Sequence, residues 1–162
     1  MTGSLFYVVI FIILMMIGGS LGSILIGFGG APGAFLAMGD RDSSAYRVRW
    51  WLGLFISAIG QAIVSLALVA VVVSLVRYAV SQPNTWAWVL WVVGFFVAIS
   101  PGASAASQSR MEQRENPEMI RNHVLHLALG LTCIIDPVGY IVFAIFPNVM
   151  SRLFSWLPYV SF

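Results

Sequence analysis

Two polar side chains lie deep inside apolar stretches of this 162-residue chain, and their types and positions suit the binding of an ion. Asp136 follows an apolar run that begins at Val124, and Gln61 follows one that begins at Trp50. A carboxylate at the centre of a membrane costs about 2.5–3.5 kcal/mol to insert, so it marks a functional site by default. An amide at the same depth is a natural hydrogen-bond partner. We therefore expect Asp136, Gln61 and the nearby Ser57 to form an ion-binding or proton-binding site; a neutral carboxyl that only joins helices is the alternative.

The composition requires lipid around most of this chain. Hydrophobic residues make up 60% of it and charged residues 9%, whereas soluble domains carry about 25% charged residues. So apolar a chain cannot cover its own surface with polar groups, and an integral membrane protein is predicted. The net charge of +2 is small and dispersed, so nucleic acid is not an expected partner. The single cysteine, Cys133, excludes a disulfide framework within the chain.

Four continuous apolar runs provide the elements that position these residues. Each is long enough to cross about 30 Å of hydrocarbon, and backbone groups in lipid must be satisfied within the segment, so each run is predicted as a helix. The fold class is therefore all-α, with four transmembrane helices. At about 1.5 Å per residue, Gln61 and Asp136 both lie about 16–18 Å from the start of their runs. The runs extend from about Leu5 to Phe28, from Trp50 to Val76, from Trp86 to about Ala106, and from Val124 to Phe146.

The sequence is similar in its two halves, with a period of about 70 residues. Ala31-Pro32-Gly33-Ala34 is predicted to close the first helix, and Ser100-Pro101-Gly102-Ala103 is predicted near the end of the third. Each motif is followed by a charged connection and then by a helix with one strongly polar residue inside it. We interpret this as two tandem helical hairpins, with chance similarity of short motifs as the alternative. The hairpins are residues 1–80 and 86–147, joined by an external linker at 81–85 and followed by an external interfacial tail at 148–162.

The arginines orient the chain in the membrane. Two of them, Arg77 and Arg152, lie on one side, and six lie in or beside the two polar connections on the other: Arg41, Arg47, Arg49, Arg110, Arg114 and Arg121. Basic residues concentrate on the cytoplasmic side, so both polar connections are predicted to be cytoplasmic and both termini external. We expect a multi-pass protein of the cell membrane.

Small residues recur on the first helix at steps of four. Gly18 and Gly22 form one row, and Gly19, Ser23 and Gly27 form a second. Small residues let helix backbones approach closely in lipid. We expect these rows to pack copies of the chain against one another in a homo-oligomer.

Taken in order, these features resemble the proteolipid of rotary ATPases, called subunit c or, in its duplicated V-type form, subunit K. The first helix is glycine-rich, as in that family. The second connection reads Gln113-Arg114-Glu115-Asn116-Pro117-Glu118, which is similar to the family's Arg-Asn-Pro-Glu or Arg-Gln-Pro pattern. A carboxylate, Asp136, follows in the next helix, and Gln61 stands at the matching place in the first hairpin. The chain departs from the V-type pattern in carrying Asp rather than Glu.

The resemblance implies a ring of identical copies with helices 1 and 3 inside and helices 2 and 4 outside. Asp136 would lie on the outer face of helix 4 and exchange its ion beside an arginine of a stator subunit. The polar connection would touch the central stalk through Arg114, Asn116, Pro117 and Glu118. In such a machine the chain carries ions and catalyses no reaction itself, and it needs no cofactor.

The short Asp136 side chain favours protons over sodium as the coupling ion. A proton needs the carboxyl and one acceptor, for which the Gln61 amide oxygen suffices, whereas sodium needs several oxygen ligands. Two other classes remain open from the sequence. One is a small stand-alone ion transporter, and the other is a structural or haem-bearing anchor subunit of a respiratory complex, whose haem-binding pattern His126, Gly130 and Asp136 resemble. Two histidines near an interface, here His123 and His126, are more often solvated than metal-bound.

The orientation can be tested by labelling single cysteines. In a Cys133→Ala background, Ser44→Cys and Gln113→Cys should react with an impermeant thiol reagent only from the cytoplasmic side, because both lie in arginine-rich connections. Gln82→Cys, in the external linker, is the matched control and should react only from outside. Labelling of Ser44→Cys or Gln113→Cys from outside intact cells contradicts the orientation.

Overall fold

A computed structural model describes residues 2–38, 44–83, 86–116 and 119–155, and 92% of these residues are helical. The described part of the chain contains no β-strand. Four of the helices are long and apolar enough to cross a membrane. The prediction of an all-α, multi-pass membrane protein with four transmembrane helices is confirmed. The helices are α1 Thr2–Ala37, α2 Tyr46–Ser81, α3 Ala87–Glu115, α4 Ile120–Ile145 and the short α5 Pro147–Leu153.

The helices extend beyond the apolar runs, and both proline motifs lie inside them. The prediction that Pro32 closes the first helix is wrong, because α1 continues to Ala37. Pro101 is likewise near the middle of α3 rather than near its end. A proline inside a helix leaves the carbonyl four residues earlier without its usual donor. In α3 the Ser100 hydroxyl donates to that carbonyl, at Val97, over 2.9 Å, which compensates for the missing bond.

The four long helices alternate in direction. The α1 helix packs along α2 and α3, and α4 packs along the same two helices. The ends of α1 and α3 and the starts of α2 and α4 therefore lie at one end of the bundle, which we call the loop end. There the Gln113 amide of α3 is 3.1 Å from Nδ1 of His123, whose ring lies 6.3 Å from that of Trp50. The opposite end, which we call the linker end, holds the end of α2, the start of α3 and α5.

Glycines bring the backbones of α1 and α2 into direct contact. A Cβ atom on Gly33 would strike the Gly53 carbonyl, and one on Gly60 would strike the Gly29 carbonyl. Gly53 is blocked in turn by Gly33 and Ala37. Close backbone contact of this kind replaces the hydrophobic driving force that lipid does not supply.

The small rows predicted on the first helix are used only in part, and within the chain. A Cβ on Gly22 would lie 2.7 Å from Cβ of Pro101 in α3, so Gly22 packs against its own chain rather than against another copy. Gly19 would make an ordinary contact with Ser100, at 3.9 Å. Gly18 and Gly27 meet nothing within 4 Å among the described residues. Gly22 therefore serves packing within the chain, and the packing of copies through these rows stays a prediction.

The α5 helix turns the start of the predicted tail back onto the bundle. Met150 and Phe154 are buried in an apolar cluster with Tyr140 and Phe143 of α4. The Phe143 and Phe154 rings meet edge to face at 5.8 Å between centroids. Only residues 148–155 of the predicted tail lie within the described part of the chain.

A pair of matched alanine variants tests the backbone contact between α1 and α2. Gly33→Ala should lower the free energy of unfolding by about 1–3 kcal/mol, because the methyl group has no room without moving a helix. Gly18→Ala on the same helix should change stability little or raise it slightly, since alanine is the better helix former. Unfolding of the purified protein in detergent micelles, followed by circular dichroism, measures both. Equal effects of the two variants would contradict the close contact.

Candidate functional site

Asp136 lies on the inner face of α4, enclosed by three helices. Only 1% of its surface is exposed. The Ser65 hydroxyl of α2 donates a hydrogen bond to Oδ1. On the other side a Cβ atom on Gly102 of α3 would strike Oδ2. The prediction that the carboxyl lies on the outer face of the helix is wrong, because α2 and α3 both close over it.

The carboxyl lies near the middle of the apolar span. This span of α4 runs from His123 to Ile145, so Asp136 is thirteen residues from its start and nine from its end. Those separations correspond to about 20 Å and 14 Å along the helix. Because the carboxyl is this far from both ends of the apolar span, it does not contact solvent there, and its polar surroundings must come from neighbouring side chains.

Gln61 does not bond Asp136, contrary to the prediction. Its amide is fully buried, and neither of its polar atoms has a hydrogen-bond partner among the described residues. Ser57 is also fully buried, with no such partner for its hydroxyl, and it faces α1, where a Cβ on Gly30 would lie 2.8 Å from its oxygen. The residue that does bond the carboxyl is Ser65, which sequence reasoning missed.

A sequence signal for Ser65 exists. Ser57, Gln61 and Ser65 recur at steps of four in an otherwise apolar helix, and residues four apart lie on one face. All three are buried. These residues form one polar face of α2, and Ser65 rather than Gln61 is the member of that face that contacts Asp136.

A polar cavity of about 80 Å³ lies on the loop-end side of this site. Gln61 and Ser109 are its buried polar residues, together with Ser23 of α1. The Ser23 hydroxyl donates to the Ser20 carbonyl over 2.7 Å and lies 3.4 Å from Oε1 of Gln108. Ser23, predicted as a packing residue, is thus part of a polar surface. The cavity is lined by Ser23, Gly27, Gln61, Ala105, Gln108, Ser109, Glu112, Leu125 and Leu129.

The interior on the linker-end side of Asp136 is apolar. Tyr140 lies one turn beyond the carboxyl and is buried, and its hydroxyl donates to the Trp91 carbonyl over 2.8 Å. The Tyr140 ring meets those of Trp91 and Phe95 edge to face. The bundle is therefore polar on one side of Asp136 and sealed on the other. The remaining buried side chains of this cluster are Val69, Ala70, Val73, Ala98, Phe143, Met150 and Phe154.

The residues expected to face a central stalk lie at the loop end. Arg114 is in the last turn of α3, and Asn116 follows that helix as its C-cap. Pro117 and Glu118 lie outside the described residues, as does Arg41 of the first connection. The predicted loop is therefore partly helical, since α3 continues to Glu115.

The histidines considered for a haem-bearing anchor are at the same end. Nδ1 of His123 lies 3.1 Å from the Gln113 amide nitrogen. Nδ1 of His126 is buried, with no hydrogen-bond partner in the described ranges. Within those ranges no group of three or more His, Cys, Asp or Glu residues is placed to hold a metal ion.

The two oxygens of the enclosed Asp136 carboxyl have different surroundings. One oxygen of the carboxyl accepts from Ser65, and the other has no hydrogen-bond partner among the described residues. A neutral carboxyl tolerates such an enclosed position far better than an ionised one does.

Comparisons with protein-family models, with curated proteins and with solved structures found no match to this chain.

Serine substitutions on α2 test which hydroxyl supports the carboxyl. Ser65→Ala should lower the free energy of unfolding by about 1–3 kcal/mol, because it leaves a buried oxygen of Asp136 without its donor. Ser57→Ala is the matched control and should leave stability unchanged or raise it, since its buried hydroxyl has no hydrogen-bond partner among the described residues. Unfolding in detergent micelles measures both. A larger loss for Ser57→Ala than for Ser65→Ala contradicts the assignment.

Proposed function

We propose that this chain carries protons across a membrane on the carboxyl of Asp136, as the repeated subunit of a rotary-ATPase rotor ring. The observation that carries the proposal is a single carboxyl held in mid-span, 1% exposed, between α2 and α3. Enclosing a carboxyl in hydrocarbon is costly, and intramembrane carboxylates are retained for ion pathways by default. A group that serves only to join helices could be a neutral amide.

The arrangement of helices supports the rotor form of this proposal. The α1 and α3 helices run side by side in one direction, and α2 and α4 run side by side in the other. In a ring, the first pair would face the axis and the second pair would face lipid and the stator. Ser65 of α2 and Asp136 of α4 meet at the seam between the outer pair, so a small separation of these helices would open the carboxyl to a stator arginine.

In this proposal the enclosed carboxyl is the neutral form that crosses the lipid-facing part of the rotation. The loop end, with Arg114 and Asn116, would be cytoplasmic and would contact central-stalk subunits. The termini would be external, and the membrane would be the cell membrane. The chain would supply the ion site, while ATP chemistry takes place in other subunits.

Protons suit this site better than sodium. A bare sodium ion must replace its hydration shell with several oxygen ligands, whereas among the described residues the Asp136 carboxyl is hydrogen-bonded by one hydroxyl, that of Ser65. The Tyr140 and Thr132 hydroxyls donate to backbone carbonyls at Trp91 and Leu129. A proton needs only the carboxyl and a route to water.

A stand-alone proton transporter is the second candidate, and one observation favours it. Asp136 is enclosed by helices of its own chain, and a polar cavity in the same bundle is lined by Gln61, one helical turn from the Ser65 that bonds the carboxyl, so a single copy contains elements of a pathway. The number of copies in the native assembly separates the candidates: native mass spectrometry of the purified assembly gives a ring of several copies for the rotor, and one or two for the transporter.

Proton flux in Asp136→Asn tests the carrier role in either form. The variant should assemble normally and lose at least 90% of proton uptake, because an amide cannot carry an exchangeable carboxyl proton. Uptake is followed with a trapped pH dye, driven by ATP in native vesicles and by a potassium diffusion potential in proteoliposomes. Flux by the wild-type protein should be the same in sodium-free choline buffer.

The matched control is Glu115→Gln, an exposed carboxylate at the end of α3 that should leave the flux unchanged. Full flux in Asp136→Asn, or no flux by the wild-type protein in either preparation, would overturn the proposal. A strict requirement for sodium would replace the proton by that ion.

A further inference from the structure

The polar cavity is lined by buried polar groups that have no hydrogen-bond partner among the described residues. Gln61 is fully buried and Ser109 is 7% exposed, and both line the cavity. Neither the amide atoms of Gln61 nor the hydroxyl of Ser109 has a hydrogen-bond partner in the described part of the chain. Each buried polar group without a partner costs about 1–3 kcal/mol. A cavity of about 80 Å³ has room for several waters, each of which needs roughly 10–15 Å³ on a comparable measure.

The cavity reaches to within about one helical turn of Asp136 on two helices. On α2, Gln61 lines the cavity and Ser65, four residues on, bonds the carboxyl. On α3, Ala105 lines the cavity and Gly102, three residues away, adjoins Oδ2 of the carboxyl. Four residues of helix rise about 6 Å, roughly two water diameters. The Oδ2 atom is the carboxyl oxygen that has no hydrogen-bond partner among the described residues.

A carboxylate stands at the outer rim of the cavity. Glu112 and Gln108 line it and are both exposed. Glu112 lies ten residues beyond Gly102 on α3, or about 15 Å along the helix towards the loop end. A negative charge at the mouth of a low-dielectric cleft raises the local concentration of cations and their rate of entry.

The buried side chains on the linker-end side are mostly apolar, and polar groups there are bonded to backbone carbonyls, as when the Arg77 guanidinium donates to the Ala144 carbonyl over 2.7 Å. Besides Asp136, the described residues include seven buried polar side chains, and six of them lie level with Asp136 or on its loop-end side; the exception is Ser74. The Ser74 hydroxyl is already bonded to the Ala70 carbonyl, over 2.9 Å. Beyond it, Met150 and Phe154 of the α5 region are packed into the bundle.

We propose that this chain contains its own one-sided, water-filled proton entry, which leads from Glu112 at the loop end past Ser109 and Gln61 to Asp136. The proposal rests on the proposed carrier role of Asp136 and assigns to Glu112 the capture of protons at the mouth. In a rotor ring, a partner subunit would then need to supply a water path only on the linker-end side.

Small water-borne cations can map this entry. In a Cys133→Ala background, silver ions should react with Ser23→Cys and Ser109→Cys at least tenfold faster than with Ile24→Cys, because the first two line the cavity. Ile24 is 52% exposed on the bundle surface beside Ser23 and is the control at matched depth. Val73→Cys, in the apolar cluster, should also be slow. Reaction is read as loss of maleimide labelling after denaturation.

The direction of access is read from membrane vesicles of the two orientations. Fast reaction should occur only when silver is added on the loop-end side. Reaction of Ser23→Cys and Ser109→Cys no faster than Ile24→Cys, or equally fast from both sides, overturns the entry. Hydroxyl-radical footprinting of the wild-type protein gives a second measurement. Leu125 and Leu129, which line the cavity, should be modified, whereas Phe143 in the apolar cluster should be protected. The reverse pattern would also overturn the proposed entry.

A charge variant tests the mouth separately. Glu112→Gln should slow the silver reaction at Ser109→Cys by about tenfold, at the low end of the electrostatic effects seen in charged clefts. Glu115→Gln, which does not line the cavity, is the matched control and should leave the rate unchanged. Equal rates in the two variants would remove Glu112 from the pathway. None of these measurements needs proton flux. The water-filled entry can therefore be contradicted while the loss of flux in Asp136→Asn still supports the carrier role, and the carrier role can be contradicted while the silver reaction still supports the entry.

Discussion

The cost of holding a carboxyl in the middle of a membrane is the constraint on which the rest of this bundle depends. Three helices meet it together: α4 carries Asp136, α2 supplies the Ser65 hydroxyl, and α3 leaves room at Gly102. A larger residue at Gly102 would displace the carboxyl, and an apolar one at Ser65 would leave a buried oxygen without a donor. The site therefore fixes the rotation of α2 and α3 about their own axes as well as their distance from α4.

The glycines of α1 make that arrangement possible, although none of the described residues of α1 donates a hydrogen bond to the carboxyl itself. Contact of Gly29 with Gly60 and of Gly33 with Gly53 brings α1 against the polar half of α2. On α3, Pro101 fits against Gly22 of α1 while its neighbour Gly102 faces Asp136. Pro101 and Gly102 are adjacent, so the packing of α3 against α1 also sets the position of α3 beside Asp136.

The sequence was sufficient to predict the four transmembrane helices and the position of Asp136 near the middle of one of them, because both follow from the energetics of transfer into lipid. It was insufficient for contacts, because each residue turns a helix by about 100° and depth estimates of a few ångströms do not fix which face meets which neighbour. This is why Ser65 rather than Gln61 bonds Asp136, and why the carboxyl is enclosed rather than on the outer face. The sequence also predicts that α1 ends near Pro32, whereas the helix continues to Ala37, because membrane helices tolerate a proline inside them.

The asymmetry of the interior bears on how a membrane voltage would act on the carried proton. With water in the loop-end cavity, that half of the bundle has a high dielectric and only a small share of the voltage falls across it. Most of the field then acts across the apolar half, which extends about 14 Å along α4 from Asp136 to Ile145. A unit charge gains about 2.3 kcal/mol per 100 mV across the full membrane, and most of that energy would be applied to the step between Asp136 and the linker end. Met150 and Phe154 pack at this end of the bundle, so under the proposed carrier role the short α5 region would lie where the voltage-dependent barrier is concentrated.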